Sequence, residues 1–340
     1  MNEVIIDVRS GRSRICVGSV AEYLPVLSAG RRIVTITDST VSRLLNHLIP
    51  VGEIIQVEPG EEAKSLSVVE KIYHQLFSLQ IDRQSLLIGI GGGSISDLTG
   101  FVASTFLRGI PFGFIPTTLL AQVDASIGGK NGVNYNGVKN LVGTTKQPDF
   151  CLCDPTSLKT LPKQEISCGF AEVIKHSIIS KTISFDLLRD EAMNIQGLKS
   201  PLIEEVIFNS VAVKAGIVTR DEFEYGERKL LNLGHTIGHG VEVCCSIPHG
   251  QAVSIGLALE AELAAELGLC SSELVSEIKN LLKLYNLPVE IEFDPSRVMA
   301  AILHDKKRDK DSIMMPLPLS IGHCSIERIA IEKLREFLCR

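Results

Sequence analysis

Apolar positions in the first half of the chain fall into two alternating textures. Ile33-Val34-Thr35-Ile36 is a short β-branched run that ends at Asp38, and Leu86-Leu87-Ile88-Gly89-Ile90 runs unbroken into Gly91-Gly92-Gly93. Continuous apolar runs of this length predict strands buried on both faces. A third run, Phe112-Gly113-Phe114-Ile115, stops at Pro116. Between the runs the spacing changes. Over residues 65–80, Leu66, Val69, Ile72, Leu76 and Leu79 recur at helical intervals and share one face. Residues 94–107 read as another helix. Strand and helix in turn predict an α/β layer on a parallel sheet.

From about Leu161 the texture becomes helical. The periodic segments are 164–180, 202–215, 229–243, 252–267, 272–284 and 326–338, with Gly and Pro between them, as in Asn286-Leu287-Pro288. The pattern predicts an α/β, Rossmann-like parallel-sheet domain over residues 1–160, followed by an all-helical domain over 161–340. No internal repeat or low-complexity tract interrupts it.

Composition narrows the function. Apolar residues make up 45% and charged residues 22% of 340, as in a folded protein. Lys+Arg 34 against Asp+Glu 40 gives a net charge of −6, and Trp is absent. Neither a basic field nor stacking aromatics are available for nucleic acid, so none is expected as a partner. The N-terminus, MNEVIIDVRSGRSRICVG, is broken by acidic residues and alternates like a strand, unlike a signal peptide. Glu260, Glu262 and Glu266 interrupt the apolar stretch 253–267, so no membrane span is expected. These readings point to the cytoplasm. The nine Cys, among them Cys151, Cys153, Cys244 and Cys245, lack zinc-finger spacing and read as reduced, buried small hydrophobes.

Four motifs can carry chemistry. Gly89-Ile90-Gly91-Gly92-Gly93-Ser94-Ile95-Ser96-Asp97 joins a strand to a helix, where free N–H groups and the helix dipole suit a phosphate. A plain tight turn would use the same glycines. Asp38, at a strand end, suits a ribose or a helix cap equally. The second motif runs from Pro116-Thr117-Thr118 through Asp124 to Gly128-Gly129-Lys130, then Gly137-Val138-Lys139-Asn140. Lys130 and Lys139 could meet phosphate, or the stretch is a solvated loop. In the third, Glu172 and Lys175 share a helical face, which most simply makes a surface ion pair. The fourth is Asn232-Leu233-Gly234-His235-Thr236-Ile237-Gly238-His239, followed by Pro248-His249-Gly250. His235 and His239 stand at i and i+4 as in H-E-x-x-H, but Thr236 replaces the protease base. With His249 and a carboxylate they allow a three-ligand metal site with an open position. His47, His74, His304 and His323 are isolated.

Together these stretches resemble the 3-dehydroquinate synthase family of sugar phosphate cyclases. The match runs in order through PGEEAKS (59–65), GGGSISDLTGF (91–101), RG (108–109), PTTLLAQVDASIGGK (116–130), KN (139–140), GFAEVIK (169–175), DEFEYGERKLLNLGHTIGHGVE (221–242), PHGQAV (248–253) and Asp305-Lys306-Lys307. The resemblance implies an NAD-binding α/β domain, a helical metal-binding domain, an active site in the cleft between them, and a homodimer. It implies Zn²⁺, with Co²⁺ as a substitute, on Glu172, His235 and His249. NAD is implied at Asp38, Glu61, Lys64, Gly92, Gly93, Asp97, Thr117 and Thr118. The substrate is implied at Arg108, Asp124, Lys130, Asn140, Lys175, Lys214, Arg228, Asn232, His239 and Lys306, with Lys307 as the alternative to the last. The implied reaction turns 3-deoxy-D-arabino-heptulosonate 7-phosphate into 3-dehydroquinate and phosphate by oxidation, phosphate elimination, reduction, ring opening and aldol closure. Ser94, Gln251 and Thr145-Lys146 depart from the usual pattern. A different cyclase, a metal-dependent polyol dehydrogenase, or a silent NAD- and zinc-binding protein are the rival readings.

Overall fold

The computed structural model describes residues 2–304, 308–309 and 311–340. The chain forms two compact units, one of residues 1–162 and 203–222, the other of 163–202 and 223–340.

The first unit is built on nine strands: β1 (Asn2–Val8), β2 (Gly11–Val17), β3 (Ile33–Asp38), β4 (Glu53–Val57), β5 (Leu86–Gly91), β6 (Phe112–Pro116), β7 (Lys130–Tyr135), β8 (Val138–Thr145) and β9 (Phe150–Cys153). Seven of them form one sheet in the order β1-β2-β9-β6-β5-β3-β4, parallel except for the β1–β2 hairpin. After β3 the chain passes outward to β4, and after β5 it passes the other way to β6. The carboxyl ends of β3 and β5 therefore mark the topological switch point, where open sheets of this kind bind ligands. All six residues of β5 are buried, as its unbroken apolar run predicted. Helices α1 (Val20–Ser28), α2 (Ser39–Leu44), α3 (Leu66–Ser78) and α4 (Gly93–Thr105) complete the N-terminal part. Of the face that the spacing predicted, Val69, Ile72 and Leu76 of α3 are buried, while Leu66 at its start is exposed.

The polar stretch 130–145 is a β-hairpin where a loop was one of the two sequence readings. Tyr135 pairs with Val138 across Asn136-Gly137, whose φ values of 49° and 76° give the primed two-residue turn that Asn-Gly favours.

In the second unit, α5 (Lys163–Ile179), α6 (Phe185–Asp190) and α7 (Ala192–Gln196) precede α8 (Leu202–Arg220), which groups with the first unit. Then follow α9 (His235–Cys245), α10 (His249–Glu266), α11 (Ser272–Leu284) and α12 (Pro295–His304). The expectation of an all-helical domain needs one correction. Strands β10 (Arg308–Asp309), β11 (Ser312–Ser320) and β12 (His323–Ala330) form a small antiparallel sheet, and α13 (Ile331–Leu338) begins five residues later than the periodicity from Ile326 predicted. Ile313, Met315 and Leu317 of β11 join Ile237, Val241, Ile255 and Leu334 in one apolar core. Among the described residues, no helix is long and apolar enough to cross a membrane. All nine cysteines are free. Cys16, Cys151, Cys153 and Cys168 are buried as expected, but Cys339, in the last turn at the chain end, is exposed.

Candidate functional site

The second unit brings together three of the expected ligands. Glu172 lies on α5, His235 opens α9 and His249 opens α10, and one ligand atom of each lies within 4.8 Å of the others. His235 Nε2 is 3.4 Å and His249 Nε2 3.6 Å from Glu172 Oε1. The opposite ring nitrogens are engaged elsewhere: His235 Nδ1 faces the Leu233 carbonyl at 3.1 Å, and His249 Nδ1 faces Glu242 Oε2 at 2.9 Å. Such partners fix ring orientation and turn both Nε2 lone pairs toward one point, as around metal ions.

Glu172 is completely buried, and its two oxygens make only ion-pair contacts, with no conventional hydrogen bond. A buried carboxylate without hydrogen bonds is costly unless a cation meets it. Two imidazole nitrogens gathered around Oε1 of this buried carboxylate fit a divalent ion with an open position. Burial works against charge on Glu172, but Lys175 and His249 outweigh it and hold the carboxyl well below its usual range. Burial keeps His235 well below the ordinary imidazole value, hence neutral and able to donate a lone pair. On His249 burial is outweighed by Glu172 and Glu242, which raise it to about 9.

Lys175, read most simply as half of a surface pair, is 1% exposed and meets Glu172 inside the unit. The i,i+3 spacing gave the contact but not its depth, because Phe170, Val173 and Ile174 on the other faces of the helix are buried too. The His239 ring lies 5.2 Å from that of His235 and 5.9 Å from that of His249. His239, Glu242 and His249 could form another donor set. Glu242 is already turned to His249 Nδ1, which favours the Glu172 set. Asn232 donates to Glu224. Arg228, in a short 3₁₀ turn over Glu227–Asn232, is 3% exposed.

The sequence predicted one helix over 229–243. The structure splits it at Gly234, whose φ is 78°. The glycines of this motif do more than admit a ligand. A Cβ on Gly256 would sit 1.8 Å from the Gly234 carbonyl oxygen, one on Gly238 2.8 Å from the Ala252 carbonyl oxygen, and one on Gly250 2.3 Å from the Cys168 carbonyl oxygen. Backbone meets backbone between α9 and α10 and between α5 and α10, and this draws the three candidate ligands together.

In the first unit, Asp38 ends β3 and caps α2, accepting from Thr40 N–H at 2.8 Å and Val41 N–H at 2.9 Å. Thr37 beside it donates to the Ile90 carbonyl of β5 at 2.8 Å. Gly92 is the N-cap of α4 and no side chain caps it, which leaves that helix end open to an anion at the switch point. Gly89 and Gly91 have a packing reason instead: their Cβ atoms would strike Thr99 at 2.7 Å and Ile95 at 2.6 Å. Lys64, 4% exposed, donates to Asp97 at 2.7 Å and to Asn140 at 2.6 Å, and lies 3.3 Å from Glu61. Four expected site residues thus meet at one ammonium. Ser94, the departure from the family pattern, donates to Glu61 at 2.8 Å. Burial raises the Asp97 carboxyl to about 6 despite Lys64.

Lys214 of α8 donates to the Asp124 carboxylate at 2.6 Å and to its carbonyl at 2.7 Å. Asp124 lies in a π-helical turn, Ala121–Ala125, of the kind frequent at functional sites. Thr117 is buried at the end of β6, and Thr118 accepts from Ala121 N–H at 3.1 Å. Arg108 and Lys130 are exposed, Arg108 with a φ of 67°. Lys306 and Lys307 lie outside the described residues.

Comparison with known proteins supplies the remaining context. The family model for the 3-dehydroquinate synthase N-terminal part matches residues 54–168, and that for its C-terminal part matches residues 169–308. The 3-dehydroquinate synthase of Saccharolobus solfataricus is 36% identical over 99% of this chain and 98% of its own. That of Pyrococcus abyssi is 44% identical over 84% of each. A solved 2-epi-5-epi-valiolone synthase from Streptomyces hygroscopicus subsp. jinggangensis, with NAD+ and Zn²⁺ bound, superposes with a TM-score of 0.88 at 26% identity, covering 98% of this chain and 97% of that one. With both halves of the family model matched in order and relatives this similar over nearly their whole length, the chain belongs to the 3-dehydroquinate synthase family.

Proposed function

We propose that the chain is a 3-dehydroquinate synthase, a lyase that converts 3-deoxy-D-arabino-heptulosonate 7-phosphate to 3-dehydroquinate and phosphate. The observation that carries this reading is the convergence of the His235 and His249 ring nitrogens on the fully buried Glu172 carboxylate. These three residues would hold Zn²⁺ or Co²⁺ in the domain of residues 161–340. Asp38, Glu61, Lys64, Gly92, Gly93, Asp97, Thr117 and Thr118 would hold NAD in the domain of residues 1–160. When bound, the metal ion supplies Lewis acidity toward a substrate hydroxyl and NAD a hydride acceptor.

The chain's own groups do the positioning. Arg228 would grip the substrate carboxylate through two parallel hydrogen bonds, for which a planar guanidinium is suited. Its burial strengthens that grip by removing competing water. Asn232, oriented by Glu224, would hold a substrate hydroxyl. Lys175, Lys214, Lys130, Asn140 and His239 supply cationic or donor groups for the phosphate, with Arg108, Asp124 and Lys306 as further contacts.

The test measures phosphate release from the heptulosonate phosphate with NAD far below substrate concentration. Turnover without accumulating NADH is expected, and stoichiometric NADH would instead mean a dehydrogenase. Arg228→Ala should lose about 2–5 kcal/mol of substrate binding, as when one partner of a buried charge pair is removed. Normal turnover by this variant would reject the substrate assignment.

A further inference from the structure

Helix α9 carries His235 at its first position, yet its own sequence gives it no cap. The N-cap is Gly234, which has no side chain to accept a hydrogen bond. The missing acceptor comes from another helix. Glu260 of α10, fully buried, accepts from Gly234 N–H through Oε2 at 2.6 Å and from Ile237 N–H through Oε1 at 3.2 Å. These are the N-cap and N3 amides, the two donors that a capping box satisfies with two side chains. Here one carboxylate takes both, at the positive end of the helix dipole.

The placement on α10 is equally specific. His249 and Glu260 are separated by three turns and lie about 20° apart around the helix axis. Gly256, where a Cβ would strike the Gly234 carbonyl oxygen, falls on the same face. One face of α10 therefore presents a metal-ligand candidate at its start and grips the root of the other ligand's helix farther along.

We propose that Glu260 is a positioning residue for the metal centre: by clamping the first turn of α9 to α10 it fixes His235 relative to His249. The proposal rests on the reading of Glu172, His235 and His249 as metal ligands. It concerns a carboxylate that touches neither metal nor substrate in that reading.

The probe is Co²⁺ alone, titrated into metal-free protein, with affinity read by chelator competition and ligand geometry by the visible absorption bands. The wild type should bind one ion and His249→Ala should lose it; if either fails, the metal reading itself is wrong, and the role of Glu260 falls with it. Given that result, Glu260→Ala should weaken Co²⁺ binding about 10–100-fold, the usual range for groups that orient metal ligands, and should shift the bands. Glu260→Gln keeps the shape but offers one acceptor for two amides, so an intermediate loss is expected. Leu334→Ala, which opens a cavity in the same core, controls for mere destabilisation and should keep wild-type affinity and spectrum. Wild-type affinity and bands in both Glu260 variants would overturn the proposal. Should Glu260→Ala not fold, Glu260→Gln decides alone.

Discussion

Lys64 donates to Asp97, yet burial still holds that carboxyl at about 6, above the ordinary 3.8. Strain of this kind is common where a group is kept for a ligand and not for the fold. The sign follows from linkage: a value raised on folding adds stability at low pH, and the gain is lost as pH rises from about 4 through 6. Asp97→Asn removes the titration. In nucleotide-free protein the stability of the variant relative to wild type should therefore climb between pH 4 and 7. At about 1.4 kcal/mol per pKa unit the gain is at most about 3 kcal/mol. Urea unfolding of both proteins at several pH values checks this, and a gap that stays constant would rule out Asp97 as the strained group. At this scale the sequence named the residue types well and their depth poorly. Nothing in Glu172-x-x-Lys175 tells whether the pair faces water or the core, because burial is decided by elements far along the chain.

At the scale of elements, the close contacts of α10 carry the geometry. Gly256→Ala places a methyl where the Gly234 carbonyl lies, and Gly250→Ala places one against the Cys168 backbone. Overpacking of this kind costs about 1–3 kcal/mol, and backbone cannot step aside as a side chain can. Both variants should lower the unfolding temperature and lose zinc from the purified protein. Retention of full zinc by both would show that the helices tolerate separation. The strands and helices themselves were largely legible where the apolar period was clean, as in β5 and α3. Three features were not. The hairpin of β7 and β8 was hidden by its polar residues, although Asn136-Gly137 marked the turn. Residues 326–338 mimic one helix because Ile326, Ile329, Leu334 and Phe337 keep a helical spacing across a strand-to-helix junction. The break at Gly234 depends on Glu260, a partner 26 positions away that no local pattern reveals.

For the whole molecule, the two proposed cofactors belong to different compact units, and their linkage to folding should be separable. Ligand at 100 times its dissociation constant stabilises what it binds by about 2.7 kcal/mol. Amide exchange should slow with zinc mainly in residues 163–202 and 223–340, and with NAD mainly in 1–162 and 203–222. Helix α8 is the telling segment, since it follows α5 to α7 in sequence but groups with the first unit. If its amides respond to zinc and ignore NAD, the assignment of cofactors to units is wrong.

The bare backbone contacts of α10 also bear on transplanting the proposed metal centre. The three proposed ligand side chains are simple to copy onto another helical scaffold. What brings them within reach is the absence of side chains at Gly234, Gly238, Gly250 and Gly256, together with one carboxylate at Glu260. A graft that carried the ligands onto helices spaced by ordinary alanines and leucines would hold the same donors too far apart. The smallest portable unit is the close helix spacing, with the ligands as its passengers.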